Sequence, residues 1–324
     1  MMRKRTLFVC LYFLLFLFGC SVQENNKIPL NEDITIIAPS SKGGGWDLTA
    51  RAVQRTLLSE GIIEEDIQVV NKIGAGGELG WKFLSQQDGQ VLAMNSSLLI
   101  TNHLLGQSKL TFKDFTPIAT LATEWEAVIV SKESEMNSAK MLMENMKSAP
   151  ESFKIGVSPR LGNDDQLSFV LASKQADLEP TKLNFRVYEN SQQVVDALLA
   201  KQIDVATMTI SEAIKYYELH QVKLLVVSAD KRLSELPMIP TWKEEGIDVV
   251  FSHWRGIMGP PNMTKEEISF WDKTLSEMVK TKKWQGILDE YMWKSFYKDS
   301  KDTFNYLKQQ SEMYERLMGV NEMS

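Results

Sequence analysis

The sequence predicts an α/β protein of two lobes, each a largely parallel sheet flanked by helices, with a hinge between them. Three observations predict it. From residue 34 onward, short β-branched runs alternate with stretches of helical apolar spacing, the pattern that buries a parallel sheet under helices. The chain has 324 residues, enough for two packed domains at ~150 residues each. Proline interrupts the ordered runs at residues 115–118 and 237–241, so the chain is expected to leave the first lobe near one and return near the other, as hinged closure requires. The expected division is 31–120 with 247–324 for the first lobe and 121–246 for the second.

The N-terminus reads as an export signal over residues 1–20. Arg3, Lys4 and Arg5 precede an apolar run at 7–18 that is short for a membrane span. Leu17-Phe18-Gly19-Cys20 resembles a bacterial lipobox, in which the cysteine is lipidated and becomes the mature N-terminus, although Phe18 is bulkier than that pattern usually carries. The alternative is an anchor helix with an incidental cysteine. Residues 21–30, rich in Asn, Gln and Glu, read as a tether. Cys10 and Cys20 are the only cysteines. Cys10 leaves with the signal, so a core without disulfides must hold the exported fold.

Strands are expected at 34–38, 67–71 and 91–94, then near 127–130, 154–157, 183–187, 205–209 and 224–228, with helices between them. Trp46, Ala50, Val53 and Leu57 share one helical face, and Trp81 and Leu84 another. The C-terminal part is mostly helical, with stripes at Ile268, Trp271, Leu275, Met278 and at Phe304, Leu307, Tyr314, Leu317.

The first strand runs into Ser40-Ser41-Lys42-Gly43-Gly44-Gly45-Trp46-Asp47, and the second into Gly74-Ala75-Gly76-Gly77. Open α/β sheets place ligands at the carboxyl ends of their strands. Glycine admits a ligand close to the backbone, and a helix N-terminus favours an anion. Two such turns side by side point to a carboxylate held by amides. The third strand ends at Asn95-Ser96, which join the candidate site.

Several chemistries fail on inventory. A net charge of -6 without a basic stripe argues against nucleic acid. Gly74-x-Gly76 with Gly80 mimics a dinucleotide fingerprint, but Leu79 replaces its third glycine and no acidic residue closes the next strand. Nothing resembling Gly-Lys-Ser/Thr follows residues 43–45, and no Gly-x-Ser-x-Gly elbow occurs. His103, His220 and His253 lack metal-ligand spacing. No enzyme activity, cofactor or metal is expected. The runner-up is a sensory lipoprotein presenting a bound ligand to a membrane signalling partner, and an NAD(P)-dependent oxidoreductase ranks last.

Residues 39–47 with Ala50-Arg51, Asn71 with Gly74-Ala75-Gly76-Gly77 and Gly80, residues 114–119, Pro240-Thr241 with Glu244 and Gly246, and Trp254-Arg255-Gly256 together resemble the substrate-binding component of tripartite tricarboxylate transporters, the Bordetella-type uptake receptors. The likeness spans nearly the whole mature chain and is nearest the tricarboxylate branch. It implies a type II periplasmic-binding-protein-like fold. A monomer, lipid-anchored at Cys20 to the outer face of the cytoplasmic membrane or periplasmic in a two-membrane cell, would close on a small carboxylate, citrate first, and pass it to integral-membrane subunits. It also implies second-lobe contacts from Ser158, Gly162 and Asn163, from Tyr188, and from Thr207 and Thr209.

Lys42 stands where the family often has proline, and Asp164-Asp165 add charge where small neutral residues are expected. The aspartates either repel a fully ionised acid or simply favour a helix start. Asp47 has the same two readings, Trp46 either lines the site or packs beneath it, and Arg255 meets either the ligand or an acidic partner.

Overall fold

The computed structural model describes residues 33–318. The expected signal, tether and lipidation site at Cys20 lie outside them. Strands and helices alternate in the order β1 (Ile34–Ala38), α1 (Gly45–Ser59), β2 (Ile67–Asn71), α2 (Glu78–Leu84), β3 (Val91–Asn95), α3 (Leu98–Leu104), β4 (Thr116–Ser131), α4 (Ala139–Ser148), β5 (Lys154–Val157), α5 (Asp164–Gln175), β6 (Asn184–Val187), α6 (Ser191–Leu199), β7 (Val205–Thr209), α7 (Ile210–Glu218), β8 (Val222–Val227), β9 (Ser252–Gly259), α8 (Lys265–Met278), α9 (Lys282–Glu290), β10 (Lys294–Lys298) and α10 (Ser300–Met318).

Strand order along the sheet is β2-β1-β3-β9-β4-β7-β5-β6, with β8 and β10 also paired to β4. The pairs β1–β2, β1–β3, β5–β6 and β5–β7 are parallel, while every pairing of β4 or β9 is antiparallel. Parallel strands thus form the outer part of each lobe, and antiparallel strands form the middle. β1 is apolar on both faces and almost wholly buried, as a strand covered by helices on both sides must be.

β4 joins the lobes. Residues 116–125 pair with β9, and residues 126–131 pair with β7 and β8. The chain returns at the same level, where Ser228 N–H donates to Glu126 O at 2.8 Å and Phe251 N–H to Ser228 O at 2.9 Å, just before β9. Of the expected boundaries, 120/121 falls inside β4 and 246/247 in the connection from β8 to β9. Pro117 lies in β4 beside a register shift against β9, where a residue without an N–H does least harm to a ladder.

Helices α8 to α10 follow the first-lobe strand β9. Leu307 and Tyr314 of α10 are fully buried, whereas Phe304, expected on the same stripe, is 44% exposed. The Tyr314 hydroxyl accepts from the Trp254 indole N–H at 3.1 Å. α8 starts with a capping box between Thr264 and Glu267. Thr264→Ala is expected to cost about 1 kcal/mol in urea unfolding. No helix among the described residues is long and apolar enough to cross a membrane.

Candidate functional site

α1 begins at the carboxyl end of β1, and its N-cap, Gly44, offers no side chain to the first-turn amides. Those N–H groups have no intrahelical acceptor. Gly44 N–H turns back to Ser41 O at 3.1 Å, which sets the tight bend. Ser40 and Ser41 are half-buried, while Lys42 and Gly43 are exposed. Asp47 is buried and faces its own loop, accepting from Gly43 N–H and Asn71 Nδ2 at 2.9 Å and from Arg51 Nε at 3.0 Å. Burial pushes the Asp47 carboxyl up, and the Arg51 guanidinium, Gly43 N–H and Asn71 amide together hold it below the ordinary carboxylate range. Asn71 also donates to Ser40 O at 2.9 Å, tying the end of β2 to the first turn.

The second turn sits directly alongside. Gly77 has φ +96°, and a Cβ there would lie 2.8 Å from Trp81 Cη2 and 3.1 Å from Trp46 Cη2, so the backbone rests on that indole pair. Trp46 and Trp81 meet edge to face at 5.5 Å. Trp46 therefore packs beneath the turns, with its indole N–H buried and unpartnered.

From the second lobe, the loop of Ser158, Gly162 and Asn163 closes against these turns. Arg160 Nη1 donates to Ala75 O at 2.8 Å, and a Cβ on Gly76 would strike the Arg160 side chain. A Cβ on Gly162 would strike Leu105 just after α3. Asn163 caps α5 by accepting from Gln166 N–H at 3.1 Å. Asn95 and Ser96 are buried at the end of β3, and Asn95 Oδ1 lies against the β9 backbone at Gly256 without a partner. Thr207 and Thr209 lie opposite Val128 and Glu126 and share one sheet face with them. Tyr188 is half-buried on the second-lobe core.

A cluster occupies the crossing point; the sequence reading had singled out Asp164, Asp165 and Arg255 but missed Glu124, Glu126 and Glu212 and their assembly. Glu124 and Glu126 project from β4, Asp164 and Asp165 open α5, Glu212 lies in the first turn of α7, and His253 and Arg255 come from β9. Glu124, Glu126, Asp164, Asp165, His253 and Arg255 are all at least 92% buried. Arg255 Nε donates to Glu124 Oε1 at 3.0 Å, and a second bond from Nη2 completes the pair. Ser211 adds a hydroxyl to Glu124 Oε2 at 2.6 Å. His253 Nδ1 is 2.9 Å from Glu126 Oε1, and its Nε2 is 3.5 Å from Asp164 Oδ2. Ser97 donates to Asp164 and links the first lobe to α5. Ser158 N–H donates to Asp165 Oδ2 at 3.1 Å, so Asp165 also fixes the loop before it. The legible signal was Glu124-Trp125-Glu126, two acids two apart inside an apolar strand, which puts both on one face.

Burial pushes the Asp164 carboxyl up to about 7 against the hydrogen bond from Ser97. Burial and neighbouring carboxylates raise Glu126 and Asp165 well above their usual range, and burial raises Glu212 as well. Burial, with Arg255 nearby, holds His253 far below 6.5 and hence neutral. Burial lowers the Arg255 guanidinium, but Glu124 more than restores it.

The arrangement sets the two glycine turns and the uncapped start of α1 against a loop of the second lobe, beside a buried cluster of carboxyls. A family model described as the tripartite tricarboxylate transporter family receptor matches residues 50–322. The chain belongs to this receptor family. BugT of Bordetella pertussis is 22% identical to the receptor over 256 residues, 77% of each chain. Among solved structures, Rpa4515 of Rhodopseudomonas palustris with adipate aligns at TM-score 0.81 and 19% identity over 90% of the receptor and 97% of that chain. MatC of the same organism with bound malate aligns at TM-score 0.78 and 19% identity over 89% and 99%. The fold of the receptor is that of two-lobed periplasmic binding proteins.

Asp164 gives the receptor a pH signature. Its folded pKa of about 7 exceeds its ordinary 3.8, so between those values the folded state keeps a proton that the unfolded state has released. Its contribution to stability is present at low pH and is lost as pH rises toward 7. His253 acts oppositely, losing stability as pH falls below 6.5. Asp164→Asn is expected to remove about 1.4 kcal/mol per pH unit of downward slope relative to the unmodified receptor. Urea midpoints of the two proteins across that range check it.

Proposed function

We propose that the receptor is an exported, lipid-anchored binding protein that captures a small carboxylate between its lobes, delivers it to integral-membrane transporter subunits and catalyses no reaction. The observation that carries this reading is the pair of glycine turns, locked together by Asp47 and Asn71 at the carboxyl ends of β1 and β2 and faced by the loop of residues 158–163. One ligand carboxylate rests at the uncapped start of α1, where amides and the helix dipole favour an anion. The site set is Ser40 to Asp47, Gly74 to Gly77, Asn95 and Ser96 from the first lobe, with Ser158, Gly162, Asn163, Tyr188, Thr207 and Thr209 from the second. In this set Trp46 and Asp47 support the turns from below. The contact of Arg160 with Ala75 O is one of the latches that close the cleft. Cys20 carries the lipid.

Malate in MatC and adipate in Rpa4515 support carboxylates of that size as the ligand class, with citrate as the tricarboxylate member to test. Trp46 and Trp81 lie under the turns and give the site a fluorescence reporter. Titration with malate, adipate and citrate is expected to give a saturable change with at least one of them, at a Kd of about 1 μM or tighter, ~8 kcal/mol of binding free energy. No response to any of them contradicts the reading.

A further inference from the structure

The buried acidic cluster beside the turns does not suit a ligand that is only an anion. Glu124 has Arg255, but among the described residues no lysine or arginine forms an ion pair with Glu126, Asp164, Asp165 or Glu212, and the His253 beside Glu126 and Asp164 is neutral. Buried carboxyls without a cation are costly to ionise, which is why burial raises all four of them.

A second observation is independent of charge. Thr207 and Asn95 are buried, and Thr207 Oγ1 and Asn95 Oδ1 have no partner. Thr207 shares the sheet face of Glu126, whose Oε2 is likewise unpartnered, as is Asp164 Oδ1. With the two carboxyls ionised, three of these four atoms accept only, and the hydroxyl also accepts. They lack a donor-rich group. At the glycine turns the unmet groups include donors, namely the Trp46 indole N–H beneath them and the first-turn amides of α1, which no N-cap side chain serves, beside the Ser40 hydroxyl and the Asn102 Oδ1 and Glu78 Oε2 acceptors. The two halves adjoin, because Gly45 has no Cβ and lets the Arg255 guanidinium lie against the start of α1; a Cβ there would come within 2.6 Å of Arg255 Nη1.

We propose that the receptor's ligand is an amino-substituted carboxylate, with its carboxylate at the start of α1 and its ammonium among Glu126, Asp164, Asp165 and Glu212. This rests on the carboxylate reading above and narrows it. An ammonium supplies three donors and a positive charge at once. A metal ion is the other cation with this chemistry, but among the described residues no three His, Cys, Asp or Glu side chains are grouped to hold one.

Calorimetric titration of the purified full chain with matched ligands tests the proposal. The pairs are glutarate with glutamate, glutarate with 4-aminobutanoate, and adipate with 5-aminopentanoate; 1,5-diaminopentane serves as an amine without a carboxylate, and calcium and zinc chloride as the metal arm. The expected result is at least tenfold tighter binding of the amino member in one or more pairs, no binding of the diamine, and loss of that preference in Glu126→Gln. Equal or tighter binding of the dicarboxylate in every pair overturns the inference and leaves the carboxylate reading standing. So does tightening of a dicarboxylate by either metal with no amino preference. Binding of the diamine alone, or of nothing, overturns both. The ligand panel on the unsubstituted chain decides the matter if Glu126→Gln does not fold.

Discussion

Replacing Arg255 with methionine is expected to lower the unfolding free energy of the receptor by ~3–5 kcal/mol, the usual cost of leaving one partner of a buried ion pair behind. Glu124 is fully buried, and after the change it would keep the Ser211 hydroxyl as its remaining donor. The loss comes from the stranded carboxylate rather than from the missing attraction. The double variant Glu124→Gln/Arg255→Met is therefore expected to regain most of the stability, because a neutral amide beside an apolar chain strands no charge. Urea unfolding of the two single variants, the double variant and the unmodified chain gives the coupling directly. Equal losses in the Arg255 single and the double variant would show that the pair does not hold the crossing point as described.

Gly44→Asp is expected to reduce ligand affinity by more than 100-fold while leaving the fold intact. Gly44 has φ -74° and ψ 163°, a conformation open to any residue, and it is the N-cap of α1. Its Cβ would lie 3.3 Å from Ser41 O and 3.4 Å from Ser40 Cβ, tight but tolerable. Aspartate is among the best N-cap residues, and it caps by accepting from the first-turn amides. Those amides are the ones assigned to the ligand carboxylate, so the new side chain both occupies and repels. Thermal unfolding is expected to show unchanged or higher stability, up to about 1 kcal/mol, and titration with whichever carboxylate binds the unmodified chain is expected to show the loss. Unchanged affinity would remove α1 from the site.

Much of this architecture was legible because local pattern and tertiary role agree. The stripes of α1 and α8 are buried as their spacing implies, with Leu57, Trp271 and Leu275 almost wholly hidden. The two glycine turns announced themselves by composition. What escaped notice depends on partners distant in the chain. β9 has the sequence Ser-His-Trp-Arg-Gly-Ile-Met-Gly, with two glycines and two basic groups, and it is a strand because β3 and β4 flank it. β10 is a short strand against β4. The crossing was expected at the prolines, yet β4 runs on through Pro117 to change partners at Glu126, since a register shift accommodates the missing donor.

The same limit governed the site. The alternatives for Asp47 and Arg255 turn on contacts across 24 and 131 residues, which no local pattern encodes. Asp164 and Asp165 do sit at a helix start, as their position suggested. Their burial beside Glu126 and Glu212 arises from three separate elements meeting, α5, β4 and α7, a fact of topology rather than of sequence spacing.

Backbone amide shifts from nitrogen-15 NMR, recorded while a binding carboxylate is titrated in, test the central claim most directly. The N–H signals of Gly43 to Trp46 and of Gly74 to Gly77 are expected to move together, with one saturation curve matching the calorimetric affinity, as donors to a carboxylate oxygen should. Saturation of binding with both sets of amides unmoved would contradict it.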